Sequence, residues 1–254
     1  MRRHAAVILE RCSHRDALAA WEQVRALAQS GGDSRAQLAA VEGIARVSRR
    51  LAPASDAAVR CFEDALALAS RIGDHTREAA LRNTLGILQW ERGASEEALA
   101  HYEAGLILVR ESGDRVHEGL TLNSIGVTLS RLRRYEEART ALEDALAVNR
   151  EAGERLLEAH TLAALGEVAQ ILGRSDSALR CFEESLSIRR EIGDRPGEGW
   201  MLHHLARTSA MMGDTAAAET STGAAARIAA ECADVALRRA CGLTDADGSA
   251  VDHP

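Results

Sequence analysis

A pattern forty residues long repeats along most of this chain. Glycine followed by an acidic residue returns at constant spacing, and a large apolar residue followed by glycine or alanine comes twelve residues after each such pair. The two sets of markers are Gly73-Asp74, Gly113-Asp114, Gly153-Glu154 and Gly193-Asp194, and then Leu85-Gly86, Ile125-Gly126, Leu165-Gly166 and Leu205-Ala206. Markers that keep one phase indicate a repeat architecture, in which each unit buries its apolar face against its neighbours.

The clearest copy predicts two helices in each unit. The first extends from about Asp74 to Glu91, because Asp74 is a good N-cap residue and leucines then recur at helical spacing. The second extends from about Ser95 to Glu111, and Gly113 follows it as a C′ glycine. A two-helix unit that repeats predicts an all-α chain.

Glycine inside the first helix needs a reason, since Gly86 costs about 1 kcal/mol relative to alanine there. A small residue at this position lets the second helix approach closely, and Ala98 supplies a small surface on that helix. Large residues recur in phase at Phe62, Tyr102, Leu142 and Phe182. We expect them to fill the space between adjacent helix pairs.

Composition excludes several classes of function. All 31 basic residues are arginine, which removes the phosphate-binding loop lysine, the Schiff-base lysine and the kinase lysine together. The net charge of −7 opposes a general attraction to nucleic acid or to anionic membranes. No window approaches the roughly 20 apolar residues of a membrane span. We therefore expect a cytoplasmic protein without membrane or nucleic-acid partners.

The cysteines and histidines predict neither disulfides nor a metal site. The chain has five cysteines, an odd number, and no CxxC pair, which is typical of reduced cytosolic thiols. Cys61 and Cys181 share one repeat position, where a buried thiol is the simplest interpretation. The adjacent His203 and His204 point apart on a helix, and no third ligand accompanies them at metal-binding spacing. We expect no metal and no cofactor.

The markers resemble those of the tetratricopeptide repeat. Leu85-Gly86, Gly93, Ala98, Tyr102 and Ala145 carry the resemblance, although the usual unit has 34 residues and this one has 40. The segment EIGDRPGEGWMLHHLA (191–206) is similar to the 40-residue variety found in spindle-orientation adaptors and in many bacterial signalling and regulatory proteins. The resemblance covers residues 35–233. It implies a right-handed superhelical solenoid of about five to six antiparallel helix pairs.

The predicted organisation is one repeat domain over residues 1–243 with a disordered polar tail at 244–254. The repeat domain comprises units at about 1–32, 35–73, 74–113, 114–153, 154–193 and 194–233, and a cap at 234–243. The unit at 35–73 is degraded, since Arg46 replaces the repeat glycine while Gly43 lies nearby. Trp21 takes the aromatic position of the first unit. Terminal repeats are expected to be atypical.

The resemblance also predicts where a partner binds, because the first helices of such repeats line a concave groove that takes an extended or helical peptide. The predicted groove residues are Asn83, Ile87, Trp90, Leu120, Asn123, Val127, Arg131, His160, Glu167, Trp200, His203 and Arg207.

Two pairs of groove residues have competing interpretations. Trp90 and Trp200 are not obviously required by the repeat, so each is either a binding anchor or packing against a neighbouring helix or an end cap. Asn83 and Asn123 recur in phase and offer both a donor and an acceptor to a ligand backbone. The competing interpretation is that the two asparagines are solvated or bonded within the helix layer.

The favoured function is therefore a non-enzymatic scaffold or adaptor that binds a peptide or partner segment. The competing hypothesis is a sensor or regulatory module of a bacterial transcriptional regulator or signalling ATPase system, a role in which such arrays also occur. No helix-turn-helix or nucleotide-binding motif is present in the sequence, and no nucleophile-elbow pattern supports an enzyme. The partner's identity, the pathway and the oligomeric state stay open.

Overall fold

The computed structural model describes residues 14–242 as helices joined by short turns. The predicted disordered tail at 244–254, and the first part of the predicted unit at 1–32, lie outside the described residues. The described helices are α1 His14–Ser30, α2 Ser34–Leu51, α3 Asp56–Ile72, α4 His75–Glu91, α5 Ser95–Ser112, α6 Arg115–Arg131, α7 Tyr135–Ala152, α8 Arg155–Ile171, α9 Ser175–Glu191, α10 Arg195–Met211, α11 Thr215–Glu231 and α12 Val235–Ala240.

The chain divides into two compact units, Met1–Thr121 and Leu122–Pro254. Helices within each unit contact their neighbours in sequence: α1 to α5 in the first, and α7 to α12 in the second. No strand occurs among residues 14–242. The prediction of an all-α chain built from antiparallel helix pairs, as in tetratricopeptide-like solenoids, is confirmed.

The joints between helix pairs explain the Gly-Asp markers. Gly73 closes α3 in the left-handed conformation, with φ of 67°, which glycine adopts without the steric penalty of a side chain. Asp74 then caps α4 by accepting a hydrogen bond from the backbone N–H of Arg77 at 3.2 Å. One dipeptide thus ends a helix and begins the next.

The helix-interior glycines make room for the large residue of the second helix. A Cβ atom built at Gly86 would lie 2.5 Å from Cε1 of Tyr102, so the tyrosine ring occupies the place of the missing side chain. Tyr102 therefore packs inside its own pair. Phe182 also reaches the following pair, where its ring stacks on His204 with centroids 4.9 Å apart. We expected these residues to fill the space between adjacent pairs. Phe182 does reach the next pair, but Tyr102 packs on Gly86 within its own pair.

The N-terminal variation follows the same packing rule with a different glycine. Trp21 on α1 lies against Gly43 on α2, where a Cβ atom would come within 2.9 Å of the indole Cε3. Gly43 thus makes room for a large residue of the preceding helix, and Arg46, at the usual glycine position, points its side chain to solvent.

Each unit has its own apolar core. In the first unit, Leu38, Phe62 and Leu85 belong to one buried cluster that joins α2, α3 and α4. In the second unit, Phe182, Met201 and Ile228 belong to another that joins α8 to α11. At the C-terminal end, α12 inserts the fully buried Leu237 against Gly199 and Ile228.

Arginine clamps recur at the joints. Glu118, Glu158 and Glu198 are each buried near the start of a first helix. Each carboxylate accepts hydrogen bonds from two arginines eight and three residues earlier, such as Arg190 at 2.8 Å and Arg195 at 2.6 Å on Glu198. Buried carboxylates are tolerated when they are paired in this way.

Candidate functional site

A cleft of about 480 Å³ opens in the second unit along the first helices of its pairs. We call it the α8–α10 cleft, since α8 and α10 provide eight of its ten lining residues. The lining residues are Val127, His160, Ala163, Ala164, Glu167, Arg189, Gly197, Trp200, Met201 and His204. The walls are mostly apolar and carry a few polar groups, which is the usual character of a ligand site.

Four predicted groove residues meet at this cleft. Val127, His160, Glu167 and Trp200 come from α6, α8 and α10 and line one continuous surface. His203 contacts the ring of Trp200 edge-on, with centroids 6.0 Å apart, but does not line the cleft. The repeat phase, together with the groove positions that the tetratricopeptide resemblance implies, predicted these side chains on the same face.

Two predicted arginines of the second unit do not line the cleft. Arg207 is exposed and donates from Nη2 to Oε1 of Gln170 on the preceding first helix. Arg131 is exposed at the end of α6.

The predicted groove residues of the first unit lie on α4 and at the start of α6. Asn83 and Ile87 are half-buried, Trp90 is 36% exposed, and Leu120 is half-buried. Oδ1 of Asn83 is buried and has no hydrogen-bond partner among the described residues. A buried carbonyl oxygen without a donor is costly, and a donor that reached Oδ1 of Asn83 would remove that cost.

Asn123 is bonded within the helix layer. Its Oδ1 lies 3.1 Å from Oγ1 of Thr161, which in turn accepts from Nδ2 of Asn149 at 3.1 Å. Asn149 and Thr161 are fully buried. This geometry matches the structural interpretation of Asn123, whereas Asn83, at the same repeat position, lacks such a partner.

Trp200 combines packing with exposure to the cleft. Its ring packs against the apolar cluster of the second unit, and Nε1 donates to Oδ2 of Asp234 at 3.2 Å. Asp234 also caps α12 through the N–H of Leu237. Trp200 therefore holds the terminal helix, as the end-cap interpretation expected, and still presents part of its surface to the cleft.

Sequence reasoning missed His204, Arg189, Gly197 and Met201 as cleft residues. His204 lies opposite Glu167, with Nε2 3.5 Å from Oε1, and its side chain is 13% exposed. Arg189 comes from the second helix α9, where no groove residue was expected. A signal for Arg189 does exist in the sequence: no other copy has a cation at this repeat position.

Burial shifts the pKa values of the titratable side chains that line the cleft. Burial, and the positive charges of Arg207 and Arg189, lower the pKa of His204 to about 4. Burial and Arg189 also lower the pKa of His160. Partial burial raises the pKa of Glu167 and outweighs the positive charge of Arg207, which lowers it. At neutral pH the two histidines are therefore uncharged.

Neither a metal centre nor a membrane span occurs among the described residues. No group of three or more histidine, cysteine, aspartate or glutamate side chains in the described part of the chain is arranged to hold a metal ion. None of the helices over residues 14–242 has the length and apolar character needed to cross a membrane.

Known structures with the same fold include proteins of quite different size. BtubC (BKLC) from P. vanneervenii is 19% identical with a TM-score of 0.75, covering 88% of this chain and 93% of that one. A signal transduction ATPase with numerous domains (STAND) from Pyrococcus horikoshii, which has a tetratricopeptide repeat sensor, is 14% identical with a TM-score of 0.78. The match covers 93% of this chain but 37% of that protein. A Rap protein complexed with competence and sporulation factor is 15% identical with a TM-score of 0.67, covering 78% of this chain and 56% of that one.

No curated protein matches the sequence. The family model described as tetratricopeptide repeat matches residues 54–111, 96–151, 117–191 and 157–231, which together span well over half of the 254 residues. This chain therefore belongs to the tetratricopeptide repeat family.

Proposed function

We propose that this chain is a non-catalytic protein-interaction module that binds an extended peptide or partner segment on the inner face of its first helices. The α8–α10 cleft is the observation that carries the proposal, because apolar walls and a few polar groups meet there on the face predicted for binding. Peptide grooves of this type use preorganised side chains on rigid helices, which limits the entropy lost on binding.

The proposed contacts differ between the two compact units. In the second unit the cleft residues Val127, His160, Glu167 and Trp200 provide the central contact surface. In the first unit Asn83 provides an unsatisfied acceptor, and Trp90 an exposed aromatic surface of the kind enriched at binding hot spots. Asn123 is a weaker candidate, since Thr161 already occupies its oxygen.

The test is affinity capture from a lysate of the source organism with the tagged full chain, followed by binding measurements with each purified candidate. Trp90→Ala and Asn123→Ala are compared with Ile107→Ala, a matched control on α5 whose side chain is 60% exposed outside the predicted groove. We expect Trp90→Ala to weaken binding at least tenfold, Asn123→Ala to weaken it less, and the control to bind normally. Undiminished binding by both groove variants would contradict the assignment.

A regulatory module is the second candidate function. A tetratricopeptide repeat sensor is part of the STAND protein with this fold, and a Rap protein with this fold forms a complex with a factor. The two functions differ in consequence, because a sensor changes the activity of another chain when its cleft is occupied. Reconstitution with the product of a neighbouring gene for a DNA-binding protein or ATPase, with and without the captured peptide, distinguishes them.

A further inference from the structure

Three residues that differ from the residues at the same position in the other repeat copies meet at the α8–α10 cleft. Position 185 is serine where the other copies have alanine or glycine, position 189 is arginine where they have alanine, valine or asparagine, and position 197 is glycine where they have larger residues. The other copies are Ala65, Gly105, Ala145 and Ala225; Ala69, Val109, Asn149 and Ala229; and Arg77, His117, Leu157 and Leu237.

The three departures together bury one arginine. Arg189 is only 6% exposed, and its Nε donates to Oγ of Ser185 at 3.3 Å. Nη1 donates to Oδ2 of Asp194, the N-cap of α10. A Cβ atom at Gly197 would overlap both Nη1 of Arg189 and Oδ2 of Asp194, so glycine is needed for the guanidinium to lie there.

The guanidinium retains hydrogen-bonding capacity on the cleft side. Arg189 has five N–H donors, of which Ser185 and Asp194 take one each. Nη2 has no partner among the described residues, and Arg189 lines the cleft. Asp194 already pairs with the charge of Arg189, but buried N–H donors without acceptors are costly, and a planar guanidinium matches a carboxylate best.

The rest of the cleft sets the size and the surroundings of that acceptor. Val127, Met201 and Trp200 offer apolar walls to the methylene groups of a side chain. Glu167 adds one negative charge on the wall provided by α8, and it repels a second carboxylate rather than attracting it. The cleft is thus lined by one cationic group, which Asp194 already pairs, and by Glu167, whose negative charge weakens the same ligand.

We infer that Arg189 is the specificity-determining residue of the α8–α10 cleft and that it receives an acidic side chain, Asp or Glu, from inside an extended partner peptide. This inference rests on the proposed peptide-binding function and names the chemistry of the peptide. Ser185 and Gly197 are positioning residues, since they act by fixing the guanidinium.

The test uses bead libraries of acetylated, amidated heptapeptides with six random positions and a fixed central Glu, Asp, Gln or Asn. A fifth library has Gln at the centre and a free C-terminal carboxylate. The labelled full chain is applied to each, and retained peptides are resynthesised for titration. The indole N–H signals of the chain's three tryptophans, assigned with tryptophan variants, show whether binding perturbs Trp200. We expect the Glu and Asp peptides to bind about tenfold more tightly than their amide counterparts, because a charge-assisted pair replaces a neutral one.

Two variants test the role of Arg189 itself. The triple variant Ser185→Ala, Arg189→Asn, Gly197→Leu restores the residues of the preceding copy, Ala145, Asn149 and Leu157, and its helicity is checked by circular dichroism. We expect it to bind acidic peptides no more tightly than amide peptides, because Glu167 still repels a carboxylate when Arg189 is absent. The side chain of Glu167 is half-exposed, so Glu167→Gln should leave the fold intact. We expect this substitution to strengthen binding of the acidic peptides about threefold or more.

The outcomes separate this inference from the proposed function. Equal retention of acidic and amide peptides by the wild-type chain, or weaker binding of acidic peptides after Glu167→Gln, contradicts the inference and leaves peptide binding intact. Preference for the free C-terminal carboxylate contradicts the internal side chain as the occupant. Retention of no peptide from any library contradicts the proposed function and the inference together.

Discussion

The ring of Phe182 lies directly over Gly166, so that a Cβ atom at position 166 would come within 2.7 Å of Cδ1 of Phe182. Phe182 is fully buried, and its ring also stacks on His204. Close packing on these sides limits how far the ring can shift. This contact decides how closely α8 and α9 approach, and the same arrangement recurs between Gly126 and Leu142.

We expect Gly166→Ala to destabilise the protein by about 1 kcal/mol. Overpacking a fixed ring costs about 1–3 kcal/mol, whereas the helix gains about 1 kcal/mol from replacing glycine. The matched control is Gly223→Ala inside α11, where a Cβ atom meets nothing within 4 Å. Urea unfolding followed by circular dichroism should show opposite signs for the two substitutions; the same sign would contradict the packing argument.

The clamp on Glu198 predicts a loss of stability that depends on pH. Burial by itself raises the pKa of Glu198, but hydrogen bonds from Arg190 and Arg195 outweigh it and lower the pKa. A carboxyl with a lowered folded-state pKa stabilises the fold above its unfolded pKa of about 4.3 and loses this contribution as pH falls through the folded value. We expect Glu198→Gln to cost about 1–3 kcal/mol at pH 7.

The pH series supplies the control for this clamp. The difference between wild type and Glu198→Gln should shrink as the pH is lowered below about 4, where the wild-type carboxyl also becomes neutral. Glu137→Gln, which breaks an exposed pair with Arg134, should leave the urea midpoint unchanged. A constant difference from pH 7 to pH 3 would show that lost packing, and not charge, explains the effect.

His204 predicts destabilisation on mild acidification. Its pKa falls to about 4 in the folded protein, against about 6.5 when unfolded, so the unfolded chain binds its proton first. The stabilisation is complete above pH 6.5 and is lost as pH falls towards 4, for a total of about 3 kcal/mol. The raised pKa of Glu167 acts in the opposite direction, because its contribution is lost as pH rises.

The slope of stability against pH isolates the histidine. His204→Ala copies Ala164 of the preceding unit and should flatten the free energy of unfolding between pH 4.5 and 6.5 relative to wild type. The variant is also expected to be less stable at pH 7, since it removes the stack on Phe182. An unchanged slope would mean that His204 is not held neutral by burial.

Asp234 links the terminal helix to Trp200. We expect Asp234→Ala to cost about 1 kcal/mol through the lost N-cap of α12 and to change the fluorescence of Trp200, whose Nε1 loses its acceptor. Asp214→Ala removes the corresponding cap of α11, and no tryptophan is hydrogen-bonded to Asp214 in the described part of the chain. The control should lose similar stability without the spectral change; identical spectra for both variants would contradict the link.

The forty-residue phase was sufficient to predict which residues share a helix face. Val127, His160, Glu167 and Trp200 were placed on one face by applying the groove positions of the tetratricopeptide repeat to the forty-residue phase, and they do line one cleft. Face assignment is a local property, because the helix period fixes which side chains point the same way.

Spacing did not predict which groove residues are already occupied. Asn83 and Asn123 hold the same repeat position, yet Thr161 occupies the oxygen of one while that of the other is unpartnered. The difference arises from residues of neighbouring helices. Asn149 donates a hydrogen bond to Thr161, whereas the preceding copy has Val109, which cannot donate one, at the position of Asn149. Such contacts join residues far apart in the sequence.

By itself, then, the sequence determined the all-α repeat and the phase of the helices, because both follow from local periodicity and turn chemistry, and its markers identified the family. Only the tertiary structure decided that Arg189 of a second helix reaches the cleft, that Gly197 makes room for it, and that Trp200 also fastens the last helix. Those relationships depend on how side chains from different helices share space and hydrogen bonds, which no single period in the sequence encodes.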